Sequence, residues 1–143
     1  MKTLILTTLV AAGLCAGQTN DDDGCRLTTV RGDYGFSISG SRPSSPGGPL
    51  EQILGVAMTH FDGAGGLTQI DNIHGSISGF AAPDRPGTGT YTLNNDCTGT
   101  MTLSNQGAPT LTLRIVVVDH GREIRTVVVS PAAVMVTSDG RRL

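Results

Sequence analysis

The stretch RIVVVDHGREIRTVVVSPAAVMV, residues 114–136, decides the fold. It holds two runs rich in β-branched residues, and His120-Gly121 lies between them. β-Branched residues favour strands, and residues that tolerate positive φ favour a tight turn. The stretch therefore predicts an antiparallel hairpin with His120 and Gly121 as its loop.

This hairpin has a definite register. With that loop, the facing pairs are Asp119 with Arg122, Val118 with Glu123, Val117 with Ile124 and Val116 with Arg125. Side chains alternate between faces along a strand, so the predicted core face holds Leu111, Leu113, Ile115, Val117, Ile124, Thr126 and Val128. The opposite face is mixed, as a half-solvated sheet or a subunit contact would be; it holds Thr112, Arg114, Val116, Val118, Glu123, Arg125, Val127 and Val129.

Alternation of apolar and polar residues extends over the chain from Tyr34 onward. Turn-forming residues interrupt it at intervals, which is typical of short antiparallel strands, and no window has a sustained helical period. Eight strands are predicted, over residues 34–41, 51–61, 67–78, 89–94, 99–104, 110–119, 122–129 and 132–138. Closure would remove the sheet edges and bury the apolar face, so we predict an all-β, eight-stranded antiparallel barrel.

The segments between these strands have turn chemistry. Asp62-Gly63, Gly65-Gly66 and Asn95-Asp96 supply residues that tolerate positive φ. Two longer loops, 42–50 and 79–88, are rich in proline and glycine, so they are predicted to stay out of the sheet centre. If a small molecule enters the protein, these two loops are its predicted rim.

The first residues have the order of a secretory signal peptide, with Lys2, an apolar stretch from Leu4 to Leu14, and then Ala16 and Gly17. The apolar stretch is shorter than the roughly 20 residues that a membrane-spanning helix needs, so no membrane span is predicted. The predicted organisation is a signal peptide over residues 1–17, a polar N-terminal segment over 18–33 and a β-barrel domain over 34–143. The predicted location is extracellular or periplasmic.

Secretion changes the interpretation of the cysteines. Cys15 leaves with the signal peptide, so the mature chain holds Cys25 and Cys97, an even pair in an oxidising compartment. We interpret them as one disulfide. Two free thiols are the alternative that the compartment disfavours, and a metal site lacks a histidine at ligand spacing.

Charge argues against nucleic acid as a partner. The mature chain keeps nine arginines and twelve carboxylates but no lysine, because the only lysine of the sequence, Lys2, lies in the signal peptide. Nucleic-acid surfaces are normally basic and often carry stacking aromatics. Arg141 and Arg142 are interpreted as a solvated terminus, and the run Asp21 to Asp23 as a solvated tail without the spacing of a calcium loop.

Residues with catalytic potential are few. The histidines His60, His74 and His120 have no metal-motif spacing, and the chain has no Gly-x-Ser-x-Gly elbow. Paired carboxylates would have to come from Asp33, Glu51, Asp62, Asp71 or Glu123, most of which lie beside glycine or at strand ends, where turn chemistry explains them. The tripeptide Arg31-Gly32-Asp33 is interpreted as a chance match to the integrin motif. The sequence thus assigns no catalytic or ligand-binding residue and predicts neither metal nor cofactor.

Three segments carry a resemblance: RGDYGFSISG at 31–40, GTYTLNNDCTGTMTL at 89–103, and 114–136. With the Phe-Asp-Gly-x-Gly turn at 61–65, they resemble a family of small secreted calycin-like β-barrel proteins of bacteria and fungi. That family is similar in fold to the eight-stranded barrel of allene oxide cyclases, dirigent proteins and some spirotetronate cyclases. The resemblance implies a fold more than a chemistry. Avidins and lipocalins are disfavoured because their tryptophans are absent here.

Two functions follow as expectations. The first is a secreted barrel that binds an apolar small molecule or a surface partner without catalysis. The alternative is a cofactor-free cyclase or isomerase that orients a hydrophobic substrate in the barrel lumen. A core filled by Phe36, Ile38, Leu113, Ile115 and Ile124 would leave only surface binding, whereas an open cavity with buried polar groups would favour chemistry. The mixed outer face also allows a homo-oligomer.

Overall fold

A computed structural model describes residues 24–143, so the predicted signal peptide, Cys15 and the acidic run at 21–23 lie outside the described residues. Residues 24–143 form nine strands and two short 3-10 helices. The strands are β1 Gly32–Pro43, β2 Leu50–Phe61, β3 Gly66–Gly75, β4 Gly79–Phe80, β5 Arg85–Leu93, β6 Thr98–Asn105, β7 Leu111–Val118, β8 Glu123–Ser130 and β9 Met135–Arg142. The 3-10 helices are η1 Leu27–Val30 and η2 Asp119–Gly121.

Eight of these strands form a closed antiparallel barrel, as predicted, and the two-residue β4 pairs only with the end of β3. Each long strand pairs with the next along the chain, and β1 closes the sheet by pairing with β9 from Tyr34–Arg142 to Ser41–Met135. Closure leaves none of the eight strands with a free edge, so the apolar face lies inside.

The predicted register of the β7–β8 hairpin is confirmed. Val118 pairs with Glu123, Val117 with Ile124 and Val116 with Arg125. The core face points inward as predicted, with Leu111 half-buried and the other six residues buried. The loop is longer than predicted: Asp119 to Arg122 form a four-residue turn, closed by the Arg122 N–H donating to the Asp119 carbonyl at 3.0 Å.

The bounds of three strands differ from the prediction by more than two residues. β3 ends at Gly75 instead of 78, because residues 76–78 turn towards Glu51. β5 begins at Arg85 instead of 89, so the prediction that the whole loop 79–88 stays out of the sheet centre was wrong: residues 85–88 pair with β3, with Pro86 opposite Ile70. β9 runs over Met135–Arg142 instead of 132–138, because Pro131 to Val134 form a turn closed by a 3.0 Å hydrogen bond.

One end of the barrel is sealed by aromatic side chains. Phe61 stacks edge-to-face with Tyr34 at 5.4 Å between ring centroids, and with Tyr91 at 5.1 Å. The helix η1 covers this end, where Val30 is fully buried and the Leu27 carbonyl accepts a hydrogen bond from the Tyr91 hydroxyl. Such aromatic pairs add about 0.5–1.5 kcal/mol beyond their buried area.

Arg142 belongs to this seal, which corrects its interpretation as part of a solvated terminus. Its Nη2 donates to the Tyr34 hydroxyl at 2.8 Å and to the Thr29 carbonyl at 2.7 Å. The Tyr34 hydroxyl in turn donates to the Gly121 carbonyl. Burial raises the pKa of Tyr34, so this phenol stays a donor at neutral pH. Arg141, in contrast, is mostly exposed.

The predicted disulfide is present between Cys25 and Cys97, whose Cα atoms lie 4.9 Å apart. It joins the segment before η1 to the turn between β5 and β6. The Cys25 N–H also donates to the Asn95 carbonyl at 3.0 Å. Residues 24–31 are therefore fixed against the sealed end, and β1 begins two residues before the predicted position 34.

Two adjacent substitutions test which face is the interior. Ile115 is 1% exposed and Val116 is 44% exposed. We expect Ile115→Asp to prevent folding or to cost roughly 3–5 kcal/mol, because an unpaired carboxylate would be buried. Val116→Asp should change the free energy of unfolding by about 1 kcal/mol or less. Thermal melts and urea titrations compare the two, and equal damage from both would contradict the inside–outside assignment.

Removal of the disulfide should destabilise the protein strongly. The two cysteines are 72 residues apart in sequence. In the chain-entropy model a loop of that length stabilises by roughly 4–5 kcal/mol, which the double variant Cys25→Ser/Cys97→Ser should lose. Urea unfolding of the variant and of the oxidised protein measures the difference. Two alkylatable thiols in the folded, unreduced protein would show that the bond does not form.

Candidate functional site

A cavity of about 110 Å³ occupies the half of the barrel away from the aromatic seal. Aliphatic side chains from all around the barrel form most of its wall: Ile38, Ile53, Ile73, Leu103, Leu111, Leu113, Val128 and Val136. An apolar cavity of about 150 Å³ is known to hold benzene. The enclosed space therefore suits the apolar part of a small ligand.

The cavity opens to solvent at the end opposite the seal. A wider recess of about 570 Å³ lies over the opening, which we call the mouth. Both loops that the sequence predicted as a rim contribute to it, through residues 43–47 and through Gly79 and Ala81. Two shorter loops that were not predicted as a rim also contribute, through residues 107–109 and through Pro131, Ala133 and Val134.

Polar side chains inside the barrel form pairs across neighbouring strands. Four such pairs are directly opposite one another in the strand register: Arg42–Glu51, Thr59–Gln69, Asp71–Arg85 and Thr126–Ser138. Each pair is hydrogen-bonded, at distances between 2.7 and 3.1 Å. Buried polar groups cost free energy unless they are hydrogen-bonded, and each pair supplies at least one such bond across the strands.

The pair Asp71–Arg85 lies at the cavity wall near the mouth. Arg85 binds both carboxylate oxygens, with Nε at 2.8 Å from Oδ1 and Nη2 at 2.9 Å from Oδ2. Asn105 also donates to Oδ2 from Nδ2. The Asn105 amide fits because the neighbouring strand has Gly87, where any side chain would overlap Asn105 Oδ1. Three hydrogen bonds from Arg85 and Asn105 therefore hold this carboxylate in place.

The pair Arg42–Glu51 lies beside it and is built differently. The Glu51 side chain is fully buried, and its Oε2 accepts hydrogen bonds from the backbone N–H groups of Ile77 at 3.1 Å and Ser78 at 2.8 Å. The Ser78 hydroxyl donates as well. Arg42 contributes one hydrogen bond, from Nε to Oε1 at 3.1 Å. Glu51 thus ties the loop after β3 to the rim of the mouth.

These contacts fix the charge of Glu51. The Ser78 N–H is the main cause that lowers its pKa to about 2, and the Ser78 hydroxyl, the Ile77 N–H and Arg42 add to this against the opposing effect of burial. Glycine at position 75 leaves room for this arrangement, because a Cβ there would overlap Glu51 Oε2 and would displace the carboxylate. At neutral pH the mouth therefore carries a permanently ionised, fully bonded carboxylate.

The structure corrects the turn interpretation for two carboxylates. Glu51 and Asp71 point into the barrel from within strands, and both are 2% exposed. Asp62 does have the predicted turn role: its Oδ1 accepts from the Ala64 and Gly66 N–H groups, which lowers its pKa. Strand alternation could have placed Glu51 and Asp71 inside the barrel. Each lies two residues before a buried isoleucine, Ile53 or Ile73, and side chains two residues apart on a strand point to the same face.

The remaining candidates lie outside the cavity. Asp33 and His60 form a 2.7 Å pair on the outer wall, where both side chains are more than half exposed. His74 is exposed on β3, and His120 lies in the β7–β8 turn with its side chain fully exposed. Glu123 binds Arg125 on the outer face. The structure therefore brings none of the three histidines to the cavity.

Within residues 24–143, no three side chains of the histidine, cysteine, aspartate and glutamate types converge as a metal site would require. The same residues contain no helix with the length and apolarity needed to cross a membrane. Neither protein-family models nor curated protein sequences give a match to the chain. The structure defines the class as a closed eight-stranded antiparallel barrel, consistent with a calycin-like fold, with a cavity open at one end.

Glu51 makes a pH-dependent contribution to stability with a defined sign. The pKa of Glu51 is lowered from its ordinary value of 4.5, which applies to the unfolded chain, to about 2 in the folded protein. Its contribution to the free energy of unfolding is therefore full above about pH 4.5 and is lost as the pH falls towards 2. We expect Glu51→Gln to destabilise the protein at pH 7 and the difference from wild type to shrink below pH 4.5.

Urea midpoints of wild type and variant at pH 7, 5, 3.5 and 2.5 measure this difference. Asp139→Asn is the control, because it makes the same charge change at a side chain that is 64% exposed. The control should show a small effect. A Glu51→Gln difference that stays constant down to pH 2.5 would contradict the prediction.

Proposed function

We propose that this protein binds an apolar small molecule in the barrel cavity and needs no catalysis to do so. The observation that carries the proposal is the polarity of the lumen along its axis. One end is closed by Tyr34, Phe61 and Tyr91, the middle is mostly aliphatic with a few hydrogen-bonded polar side chains, and the other end opens through a polar mouth. Ligand sites are typically concave and apolar with a few placed polar groups.

The pairing of the lumen polar groups supports binding over chemistry. A general acid or base must have a lone pair or proton available to the substrate. Arg85 and Asn105 occupy the Asp71 carboxylate, and Ser78, Ile77 and Arg42 occupy that of Glu51. These carboxylates stabilise the mouth and position arginines, and a bound molecule would leave unchanged.

A cofactor-free cyclase or isomerase is the second candidate. The observation in its favour is that the cavity is open and that buried polar side chains, Gln69, Thr126 and Ser138, line its wall. A shaped lumen accelerates an intramolecular reaction by holding the substrate in a reactive conformation. Such a reaction needs few ionisable groups, so the pairing of the carboxylates weighs less against it.

The proposed setting is extracellular or periplasmic. The Cys25–Cys97 disulfide supports it, because such bonds persist in oxidising compartments. Secretion by residues 1–17 stays a prediction. A homo-oligomer or surface partner also stays a prediction; the outer wall exposes Leu54, Val56 and Met58 on alternate positions of β2.

Filling the cavity should abolish binding. Leu111 lines the cavity wall, and its neighbour Thr112 points to the outer face. We expect Leu111→Trp to lower the occupancy of small molecules retained from the secretion medium by at least about tenfold, or about 1.4 kcal/mol. Thr112→Trp, the matched control, should retain them. Native mass spectrometry gives the occupancy, and thermal melts check that both variants fold.

Two outcomes would contradict the proposal. One is that the wild-type lumen neither retains a small molecule from the medium nor binds an added one. The other is equal occupancy in the two tryptophan variants. The same material separates the two candidates. A binding protein returns the extracted molecule unchanged after incubation. A cyclase or isomerase converts it to a product of equal mass with a different NMR spectrum.

A further inference from the structure

The two arginines at the mouth differ in how much of each guanidinium is already bound. Arg85 uses Nε and Nη2 on Asp71 and is 11% exposed at the side chain. Arg42 uses Nε alone on Glu51 and is 25% exposed. Among the described residues, no hydrogen bond from Arg42 Nη1 or Nη2 is formed, and this side chain lines both the cavity and the mouth.

Glu51 does not depend on Arg42 for its satisfaction. The Ser78 N–H, the Ser78 hydroxyl and the Ile77 N–H already donate to this carboxylate. The hydrogen bond from Arg42 Nε to Glu51 therefore serves mainly to hold the arginine in position. A fully buried, rigidly held carboxylate fixes the Arg42 stem, so the terminal N–H donors are held at the boundary between the aliphatic cavity and solvent.

The charges at this boundary select among ligand head groups. Arg42 and Arg85 are balanced by Glu51 and Asp71, so the four groups together have no net charge. The mouth loops add no cation: residues 43–50 and 106–110 carry no charged side chain, and 76–84 carry only Asp84. An anion would gain donors from Arg42 and meet the nearby Glu51 carboxylate. A neutral acceptor would gain the same donors without that repulsion.

We propose that Arg42 is the head-group anchor of the cavity, donating from Nη1 or Nη2 to the carbonyl oxygen of an uncharged, apolar ligand. This rests on the proposed function and names its ligand class: a small ketone, ester, lactone or amide whose hydrocarbon part enters the cavity. The carbonyl lies at the mouth, and the hydrocarbon reaches towards Leu113 and Val136. The cavity volume of about 110 Å³ limits the buried part to about one small ring.

Three probes with one benzene ring test this assignment: acetophenone, ethylbenzene and benzoate. The first two have nearly the same shape, and only acetophenone has a carbonyl acceptor. NMR titrations that follow the methyl groups of the cavity isoleucines and leucines give the dissociation constants. We expect acetophenone to bind at least about tenfold more tightly than benzoate, and its affinity to depend on Arg42.

The variant Arg42→Met removes the donors and keeps the apolar stem. We expect it to weaken acetophenone binding by at least about tenfold, or about 1.4 kcal/mol, and to leave ethylbenzene binding unchanged. The matched control is Arg114→Met, because Arg114 is an exposed arginine on the outer face of β7. It should alter neither affinity. Thermal melts check folding, and the comparison of probes on wild type stands even if Arg42→Met unfolds.

Each contrary result has one meaning. Acetophenone affinity that is unchanged in Arg42→Met, or that falls equally in Arg114→Met, would overturn the anchor. Tighter binding of benzoate than of acetophenone would overturn the uncharged ligand class. In both cases, binding of ethylbenzene in the cavity would leave the proposed function standing. If none of the probes shifts the cavity methyl groups, the proposed function itself fails for ligands of this size.

Discussion

The pairing of β1 with β9 is the constraint on which the rest of this structure depends. It joins strands from opposite ends of the described chain, over eight residue pairs from Tyr34–Arg142 to Ser41–Met135. Without it the other strands would form an open sheet with two free edges and a solvent-exposed apolar face. Arg142 and Tyr34 sit at one end of this seam, and their contacts tie closure to the aromatic seal. Closure therefore creates both the interior and its sealed end.

Cross-strand pairing is the device that makes a polar lumen compatible with stability. A lone carboxylate inside the barrel would carry a large desolvation cost, which an arginine opposite it in the register offsets in part and additional N–H and O–H donors offset further. The pairs Arg42–Glu51 and Asp71–Arg85 both follow this rule. Because both charged pairs lie near the mouth, the wall of the barrel centre is mostly aliphatic, with uncharged polar pairs between the apolar side chains. The resulting gradient from aromatic seal to charged mouth gives a bound molecule a defined direction.

The hydrogen bonds that hold these ionised side chains also bear on the function of the barrel. Ionised groups that are saturated by fixed partners are suited to holding a ligand and poorly suited to exchanging protons with it. Arg42 is the exception within this arrangement, since Glu51 is already held by the backbone of Ile77 and Ser78. We therefore expect ligand binding at Arg42, whose terminal N–H groups have no hydrogen-bond partner among the described residues, while the carboxylates around it are fully bonded. The four mouth loops, which vary in length and carry few charges, surround that donor.

The sequence by itself determined the local features of this protein. Alternation and turn residues predicted the strands, and the β-branched runs around His120 fixed the register of β7 and β8, because side-chain period and loop length are local properties. The same alternation along β2 and β3 would also have placed the Glu51 and Asp71 side chains inside the barrel. Only the tertiary structure decided which strands meet at the seam, that Arg142 covers the aromatic end, and that the lumen is open. These features depend on contacts between distant residues and on how side chains from all strands fill a common volume, which no single segment specifies.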